Sequence, residues 1–311
     1  MGEKLYHEEI EALSASPESR WGDVERILEI LRAGEIRKVI KLEEIQPDLE
    51  PHSNVVQYAE LESGDQEHMN VVEEMEVQLG GQTLKCIFKP KAGENPEILR
   101  KCQEYDPEIR DFYHREIAAY LIDAHFGLDV VPPTVEREIP GQGVGSLRIY
   151  ADHELYDTCK HLPKGSSWEN LKDSPSYQGI AVLDWLIANW DRKSDDYLFR
   201  RDEPQRMVAI DNGFALTGEI YRKVEMAKIR GPHYLMTFDD RSNSPRDIPL
   251  PEELRTKIQH GLEKKDHLTV QLQELGLPQK DIDGLWQRTE ILIKTGKFLS
   301  RKNTQISDLQ S

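Results

Sequence analysis

The chain has 311 residues, of which 38% are hydrophobic, and its 57 acidic and 40 basic side chains give a net charge of −17. This length allows two lobes around a sizeable buried core. The acidic surplus argues against a nucleic-acid-binding protein, because such proteins neutralise phosphates with basic side chains. It also argues mildly against tight docking on anionic lipid.

The lack of a recognisable targeting signal and the cysteine usage predict an intracellular protein. No stretch reaches the roughly 20 apolar residues that a membrane-spanning helix needs. The first residues lack the basic and then apolar pattern of a secretory signal. The three cysteines form no CxxC pair, which is typical of reduced thiols. We therefore expect a cytoplasmic protein, or one secreted into a host cytosol without a classical signal.

The first half of the chain predicts a helical lead followed by a small sheet. Residues 1–32 form the lead, because "GDVERILEILRAGE" has apolar residues at helical spacing and stops at Gly34. "SNVVQYAEL" is a strand candidate, and "EMEVQLGGQTLKCIFKP" predicts a hairpin that turns at Gly80 and Gly81. A charged loop at 91–110 then leads to the helix "FYHREIAAYLIDAHFG". "LDVVPPTVERE" is extended because of its prolines, and "GSLRIYAD" is a strand.

The second half is mainly helical. After a loop-rich stretch at 154–176, "YQGIAVLDWLIANW" predicts a buried helix that ends at Trp190. The short strands "DYLF" and "RMVAID" follow, and three amphipathic helices end the chain: "PEELRTKIQHGLEKK", "DHLTVQLQELG" and "DIDGLWQRTEILIKTGKFL". We expect an α+β fold with an antiparallel-sheet N-lobe crossed by one helix (33–151), a mainly helical C-lobe (152–300) and a tail (301–311).

This order of elements is the two-lobed layout of kinases, whose chemistry makes specific demands. Phosphoryl transfer needs a cation at the nucleotide phosphates, an anion that positions it, carboxylates for magnesium and a base near the acceptor hydroxyl. Lys89 suits the first demand, on a strand whose Ile87 lies on the same face and could cover an adenine. Glu116, on the next helix, suits the second. Taken singly, they also fit a solvent-facing lysine and a surface glutamate.

The carboxylates for the remaining demands come from the second half. Asp191 follows the predicted buried helix and is the candidate base. Arg192 either contacts a phosphate or braces the loop, and we favour the brace. Asp196 and Asp211 are candidate magnesium ligands, although an acidic turn and an Asn-Gly hairpin turn are the plain alternatives. The ordered conjunction of all these features favours the kinase interpretation over coincidence.

Between about Ile30 and Leu216 the chain resembles the atypical kinases grouped around the phosphatidylinositol 3- and 4-kinase catalytic domain, and in particular their small bacterial members. HipA-type kinases and the secretory-pathway Golgi kinases share the Asp-Arg and Asp-Asn-Gly signatures. The segments that carry the likeness are "ILRAGEI", "HSNVV", "CIFKPKAGE", "REIAAYLIDAHFGLDVVPPTV", "LIANWDRKSDDYLF" and "AIDNGFAL".

The resemblance implies a role for each matching position. Lys89 would contact nucleotide phosphates and Glu116 would pair with it. Asp191 would be the catalytic aspartate and Asp211 the main magnesium ligand. "HSN" stands where the family has its phosphate-binding loop, and "LRIYAD" stands at the hinge between the lobes. The additional nucleotide contacts so implied are Ser53, Asn54 and the backbone groups of Ile149 and Ala151.

Two departures from the family pattern affect the expected chemistry. Asp196 stands where the family usually has Asn or His; it is a suitable oxygen ligand for magnesium but adds a negative charge. The nucleotide-binding turn also has no glycine run, which suits the phosphatidylinositol-kinase relatives better than ordinary protein kinases.

The expected activity is an ATP-dependent phosphotransferase that uses Mg²⁺ or Mn²⁺. The acceptor hydroxyl belongs to a protein, an inositol lipid or a metabolite, and the acidic chain tilts the expectation towards a soluble acceptor. Residues 218–235 are locally basic and either receive an anionic acceptor or form a solvated loop. The alternatives are a nucleotide-binding pseudokinase that acts as a scaffold and an enzyme that transfers AMP.

Overall fold

The computed structural model describes residues 19–41, 73–151, 156–158, 174–189, 192, 196–216 and 249–297. These residues form an α+β fold. The helices are α1 (Val24–Ala33), α2 (Pro96–Tyr105), α3 (Tyr113–Phe126), α4 (Pro175–Leu186), α5 (Glu252–Glu263), α6 (Lys265–Glu274) and α7 (Gln279–Thr295). The strands are β1 (Glu35–Lys41), β2 (Glu73–Leu79), β3 (Gln82–Pro90), β4 (Thr134–Ile139), β5 (Gly143–Ile149), β6 (Tyr156–Thr158), β7 (Tyr197–Arg200) and β8 (Met207–Ala209).

Five strands make an antiparallel sheet in the order β1-β2-β3-β5-β4. The predicted hairpin is confirmed as β2 and β3, with Met75 opposite Cys86. Its turn residues Gly80 and Gly81 have φ values of 57° and 82°. This left-handed conformation suits glycine, because it has no Cβ to clash with the backbone.

The two faces of this sheet meet different helices. Residues paired across antiparallel strands share a face, so Arg137 lies on the same face as Leu147 and Phe88. The Arg137 guanidinium donates to the carbonyls of Leu31 and Gly34 at the end of α1. On the opposite face, Glu136 of β4 accepts a hydrogen bond from the hydroxyl of Tyr113, the first residue of α3, at 3.3 Å. The sheet is therefore covered by α1 on one face and by α3 on the other.

A second, three-stranded sheet has the order β6-β7-β8, and it joins the helical part of the fold. The amide of Ala209 on β8 donates to the carbonyl of Val130, just before β4, at 2.8 Å. One continuous apolar core extends from Leu28 on α1 to Leu285 on α7. The two sheets and the C-terminal helices therefore pack as one body.

Several sequence expectations need correction. The predicted loop at 91–110 contains α2, which Asn95 caps by accepting from the amides of Glu97 and Ile98 at 2.9 and 3.1 Å. The buried helix ends at Leu186 and not at Trp190, because the chain turns at Ala188, whose φ is 48°. The loop-rich stretch expected at 154–176 also contains the three-residue strand β6.

Other expectations are confirmed or fall outside the description. The three C-terminal helices are present, and α3 ends as predicted at Gly127, whose φ is 59°. Within the described ranges, no helix is both long enough and apolar enough to cross a membrane. The strand predicted at 53–61 lies outside the described residues.

Candidate functional site

Lys89 is the centre of a partly buried ionic cluster. Its ammonium group donates to Oε1 of Glu116 on α3 and, at 2.8 Å, to Oδ1 of Asp211 after β8. The Lys89 and Asp211 side chains are 22% and 28% exposed, and that of Glu116 is 5% exposed. Neither the solvent-facing lysine nor the surface glutamate considered from sequence describes this arrangement. Three of the predicted site residues, from three separate segments, therefore meet in direct contact.

The carboxylate neighbours determine the charge of Lys89. Burial by itself lowers the pKa of this lysine, but Asp211 and Glu116 outweigh burial and hold the pKa above its ordinary value. The ammonium is therefore charged at neutral pH. An ammonium has three hydrogens, and two of them are used by these carboxylates, so the third has no contact among the described residues.

Glu116 also fixes the turn that follows β8. Its second oxygen, Oε2, accepts from the amide of Asn212 at 3.0 Å. A side chain at Gly213 would bring a Cβ within 3.3 Å of the Phe112 Cβ, so glycine permits the turn to approach the start of α3 closely. Asp211 itself has a φ of 58°, a left-handed conformation that aspartate tolerates better than most residues. No return strand follows in 213–216, so this is not an Asn-Gly hairpin turn.

Arg192 also holds the turn that carries Asp211. Its side chain is fully buried and makes a two-pronged contact with Asp184 on α4, at 2.8 Å from Nη2 and 3.1 Å from Nε. The guanidinium also donates to the carbonyl of Ile210 and to Oδ1 of Asn212, the residues on either side of Asp211. Burial opposes the charge of Arg192, but Asp184 holds its pKa above the ordinary value. This geometry is that of a brace and leaves little of the guanidinium for a phosphate.

Asp196 immediately precedes β7. Its carbonyl accepts from the amide of Ile210 at 3.0 Å, so it stands at the end of the β7-β8 ladder, across from the residue before Asp211. Asp196 is 1% exposed. Mg²⁺ prefers hard oxygen ligands and is often held by one or two carboxylates together with substrate phosphates. The chemistry of Asp196 and Asp211 fits that ion, although the described residues include no group of three potential metal ligands.

The remaining candidates divide into three groups. Ile87 is buried and shares the face of Lys89, since both belong to β3 two residues apart. The amide of Ile149 already donates to the carbonyl of Pro133, and Ala151 packs against Leu198 and Val208 of the second sheet. The candidates outside the described residues are Ser53, Asn54 and Asp191.

Sequence reasoning missed two arginines next to the cluster. Arg115 is 2% exposed, donates to the carbonyl of Ala215 at 2.7 Å and pairs with Asp281 of α7 at 3.0 Å. It therefore ties α3 to the turn and to the last helix. Arg148 of β5 is paired with Ile87 and so shares the face of Lys89. The alternation of "LRIY" predicts which face of its own strand Arg148 occupies. Only the strand register shows that this strand lies beside β3.

A cavity among the described residues lies away from this cluster. It measures about 880 Å³ and runs along Ile117, Tyr120, Leu121 and Ala124 of α3. Its walls include residues of α1, β4, α5 and α6, but not Lys89, Glu116 or Asp211. The ionic cluster is thus defined by its contacts and not by this cavity.

The fold and site together define an α+β protein with a lysine–carboxylate cluster where two sheets meet. No family model matches the sequence. The chain is similar to the protein Rv2133c of Mycobacterium tuberculosis, with 26% identity over an alignment of 163 residues that covers 43% of this chain and 55% of that protein. The chain therefore spans about half the length of the curated relative it matches, whose name states no activity.

Proposed function

We propose that this protein is an ATP-dependent phosphotransferase with a two-lobed, kinase-like arrangement. The observation that carries the proposal is the contact of Lys89 with both Glu116 and Asp211. A strand lysine, a helix glutamate and an aspartate after a buried strand are the groups that phosphoryl transfer requires, in the chain order expected for kinases. A chain that used these residues only for stability would gain little, because buried ion pairs often contribute less than apolar packing.

The roles of the chain's own residues follow from their contacts. Lys89 directs its remaining hydrogen to a nucleotide phosphate while Glu116 keeps the ammonium in place. Glu116 also holds the amide of Asn212, so the lysine and the turn that carries Asp211 share one anchor. Such a cluster is positioned before the ligand arrives, which is the main requirement for electrostatic catalysis.

Asp196 and Asp211 would hold the magnesium ion. A bound magnesium ion neutralises the negative charge on the phosphoryl oxygens. Asp211 reaches this role from a turn fixed by Arg192 on one side and by Glu116 on the other. The second aspartate adds negative charge, so manganese is a reasonable alternative ion.

Asp191 would orient or deprotonate the acceptor hydroxyl. It is joined directly to Arg192, whose guanidinium is anchored to Asp184 and to the turn. Removal of a general base typically lowers the rate about 10²- to 10⁴-fold. Asp191→Ala should therefore abolish measurable turnover but leave nucleotide binding intact.

The test is incubation with γ-labelled ATP and Mg²⁺ in the presence of three acceptor pools: protein extract, inositol lipids and metabolites. We expect label in one pool with the wild type and none with Asp211→Ala. The control Asp202→Ala should label like the wild type, since the Asp202 side chain is 63% exposed and pairs with Arg200. Full activity of Asp211→Ala would contradict the assignment.

A parallel incubation with α-labelled ATP separates the alternatives. Transfer of the α-label to protein would identify an AMP-transferring enzyme. Magnesium-dependent ATP binding without transfer of either label would identify a pseudokinase. The proposed activity requires transfer of the γ-label alone.

A further inference from the structure

Arg148 lies on the same sheet face as Lys89, and among the described residues most of its hydrogen-bonding capacity is unused. A guanidinium has five donors, and the hydrogen bond that Arg148 makes is a long one, 3.5 Å from Nη1 to the carbonyl of Ile149. Its Nε is buried without a hydrogen-bond partner among the described residues. Such an atom calls for an explanation, because most buried polar groups in folded proteins are hydrogen-bonded.

The strand register places Arg148 close to Lys89. Lys89 is opposite Ser146 and Ile87 is opposite Arg148, so Arg148 is the diagonal neighbour of Lys89 on the same face. Diagonal neighbours on adjacent antiparallel strands are about 7–8 Å apart, within reach of long side chains. Two cationic side chains therefore lie next to each other on the same face of the sheet.

The carboxylates of the site do not account for Arg148. Glu116 and Asp211 both act on it electrostatically, and burial lowers the pKa of its guanidinium. Both carboxylates, however, are bonded to Lys89, and among the described residues no carboxylate oxygen lies within ion-pair distance of Arg148. Within the part of the chain that the structure describes, this cation is therefore held near the cluster without an anion at ion-pair distance.

We infer that Arg148 is a second cationic contact for the phosphates of the nucleotide, beside Lys89. This inference rests on the proposed function and goes beyond it by adding a residue that binds the substrate. A planar guanidinium matches two phosphate oxygens at once, which a lysine cannot do. Arg148 is opposite Ile87 and therefore lies on the side of Lys89 that is away from Pro90. Because Ile87 is the residue expected to cover the adenine, this position assigns Arg148 to the phosphates nearest the base.

The experiment measures the affinities of ATP, ADP and adenosine by titration calorimetry in the presence of Mg²⁺. Arg148→Gln should weaken ATP and ADP by about 10- to 100-fold, the effect of losing a charge-assisted hydrogen bond. Adenosine has no phosphate, so its affinity should be unchanged. Arg148→Lys keeps the charge without the fork and should give intermediate values.

Thermal unfolding separates this role from a structural one. Because Arg148 has few partners to leave unpaired, Arg148→Gln should not lower the melting temperature. The matched control is Arg137→Gln on the other face of the sheet, which loses its bonds to the carbonyls of Leu31 and Gly34. The control should have a lower melting temperature than the wild type. Below that temperature it should bind ATP with wild-type affinity.

Each outcome decides between the two proposals. If Arg148→Gln binds ATP as the wild type does, the inference is wrong and the phosphotransferase proposal is untouched. If ATP and adenosine weaken equally, Arg148 does not act on the phosphates and the inference is also wrong. If the wild type binds no nucleotide, both proposals fail together.

Discussion

The brace formed by Arg192 and Asp184 allows a quantitative prediction for Asp184→Asn. Both side chains are fully buried, and the substitution removes the negative charge while it keeps the shape of the side chain. Breaking a buried ion pair by neutralising one partner costs about 3–5 kcal/mol, because the remaining charge stays buried. With about 2.1 cal/mol/K of unfolding entropy per residue over 311 residues, this loss corresponds to a fall in melting temperature of roughly 5–8 °C.

The assay is thermal unfolding followed by circular dichroism, with Asp202→Asn as the matched control. Asp202 also pairs with an arginine, Arg200, at 2.7 Å, but its side chain is 63% exposed. The control should melt with the wild type, since exposed ion pairs contribute little. If Asp184→Asn and Asp202→Asn both melt within about 1 °C of the wild type, far below the shift expected for a buried pair, Arg192 is not the buried brace described here.

Two further predictions concern buried titratable groups. Burial lowers the pKa of His125 to about 4, below the value of about 6.5 expected in the unfolded chain, so the unfolded state binds the proton first and stability falls as the pH falls through this range. Between pH 7 and pH 5 the wild type should therefore lose about 2 kcal/mol more of its free energy of unfolding than His125→Gln. Urea titrations at the two pH values measure these losses, and equal losses would contradict the lowered pKa of His125. Burial raises the pKa of the Cys86 thiol to about 12, and Cys102 is also buried. A Cys159→Ser variant, which keeps only these two thiols, should therefore react with a thiol reagent at pH 8 only after denaturation. Rapid reaction of the folded variant would show that these thiols are accessible.

The main features of the site were predictable because they depend on local patterns. The two-residue period of "KCIFKP" puts Lys89 and Ile87 on one face, and the structure has them there. The apolar run before Asp211 predicts a buried strand, and β8 is one. What a pattern cannot supply is distance: the contact of Lys89 with Asp211 joins residues 122 positions apart.

The elements that sequence reasoning missed depend on longer-range or weaker signals. The Asn95-Pro96 pair is a recognisable helix start, but the surrounding charge favoured a loop, and α2 was overlooked. The early end of α4 at Leu186 depends on the left-handed turn at Ala188, which no preference of alanine foretells. Arg148 became a candidate only when the pairing of β3 with β5 was known.

The buried polar partners were equally hidden in the sequence. Asp184 lies in an apolar helix and reads there as an isolated carboxylate, yet it neutralises an arginine eight residues later. Arg115 pairs with Asp281 across 166 positions. Such pairs are determined by how helices pack together, and sequence spacing carries no signal for them.

The central claim is that Lys89 is held by two carboxylates in order to bind a nucleotide phosphate. The most direct measurement is the affinity for ATP with Mg²⁺, determined by titration calorimetry for the wild type, Lys89→Met and the control Lys91→Met. Lys91 is two residues away, is 49% exposed and pairs with Asp111 instead. The account predicts that Lys91→Met binds like the wild type and that Lys89→Met binds about 10- to 100-fold more weakly. Equal affinities for all three proteins, or no binding by the wild type, would contradict it.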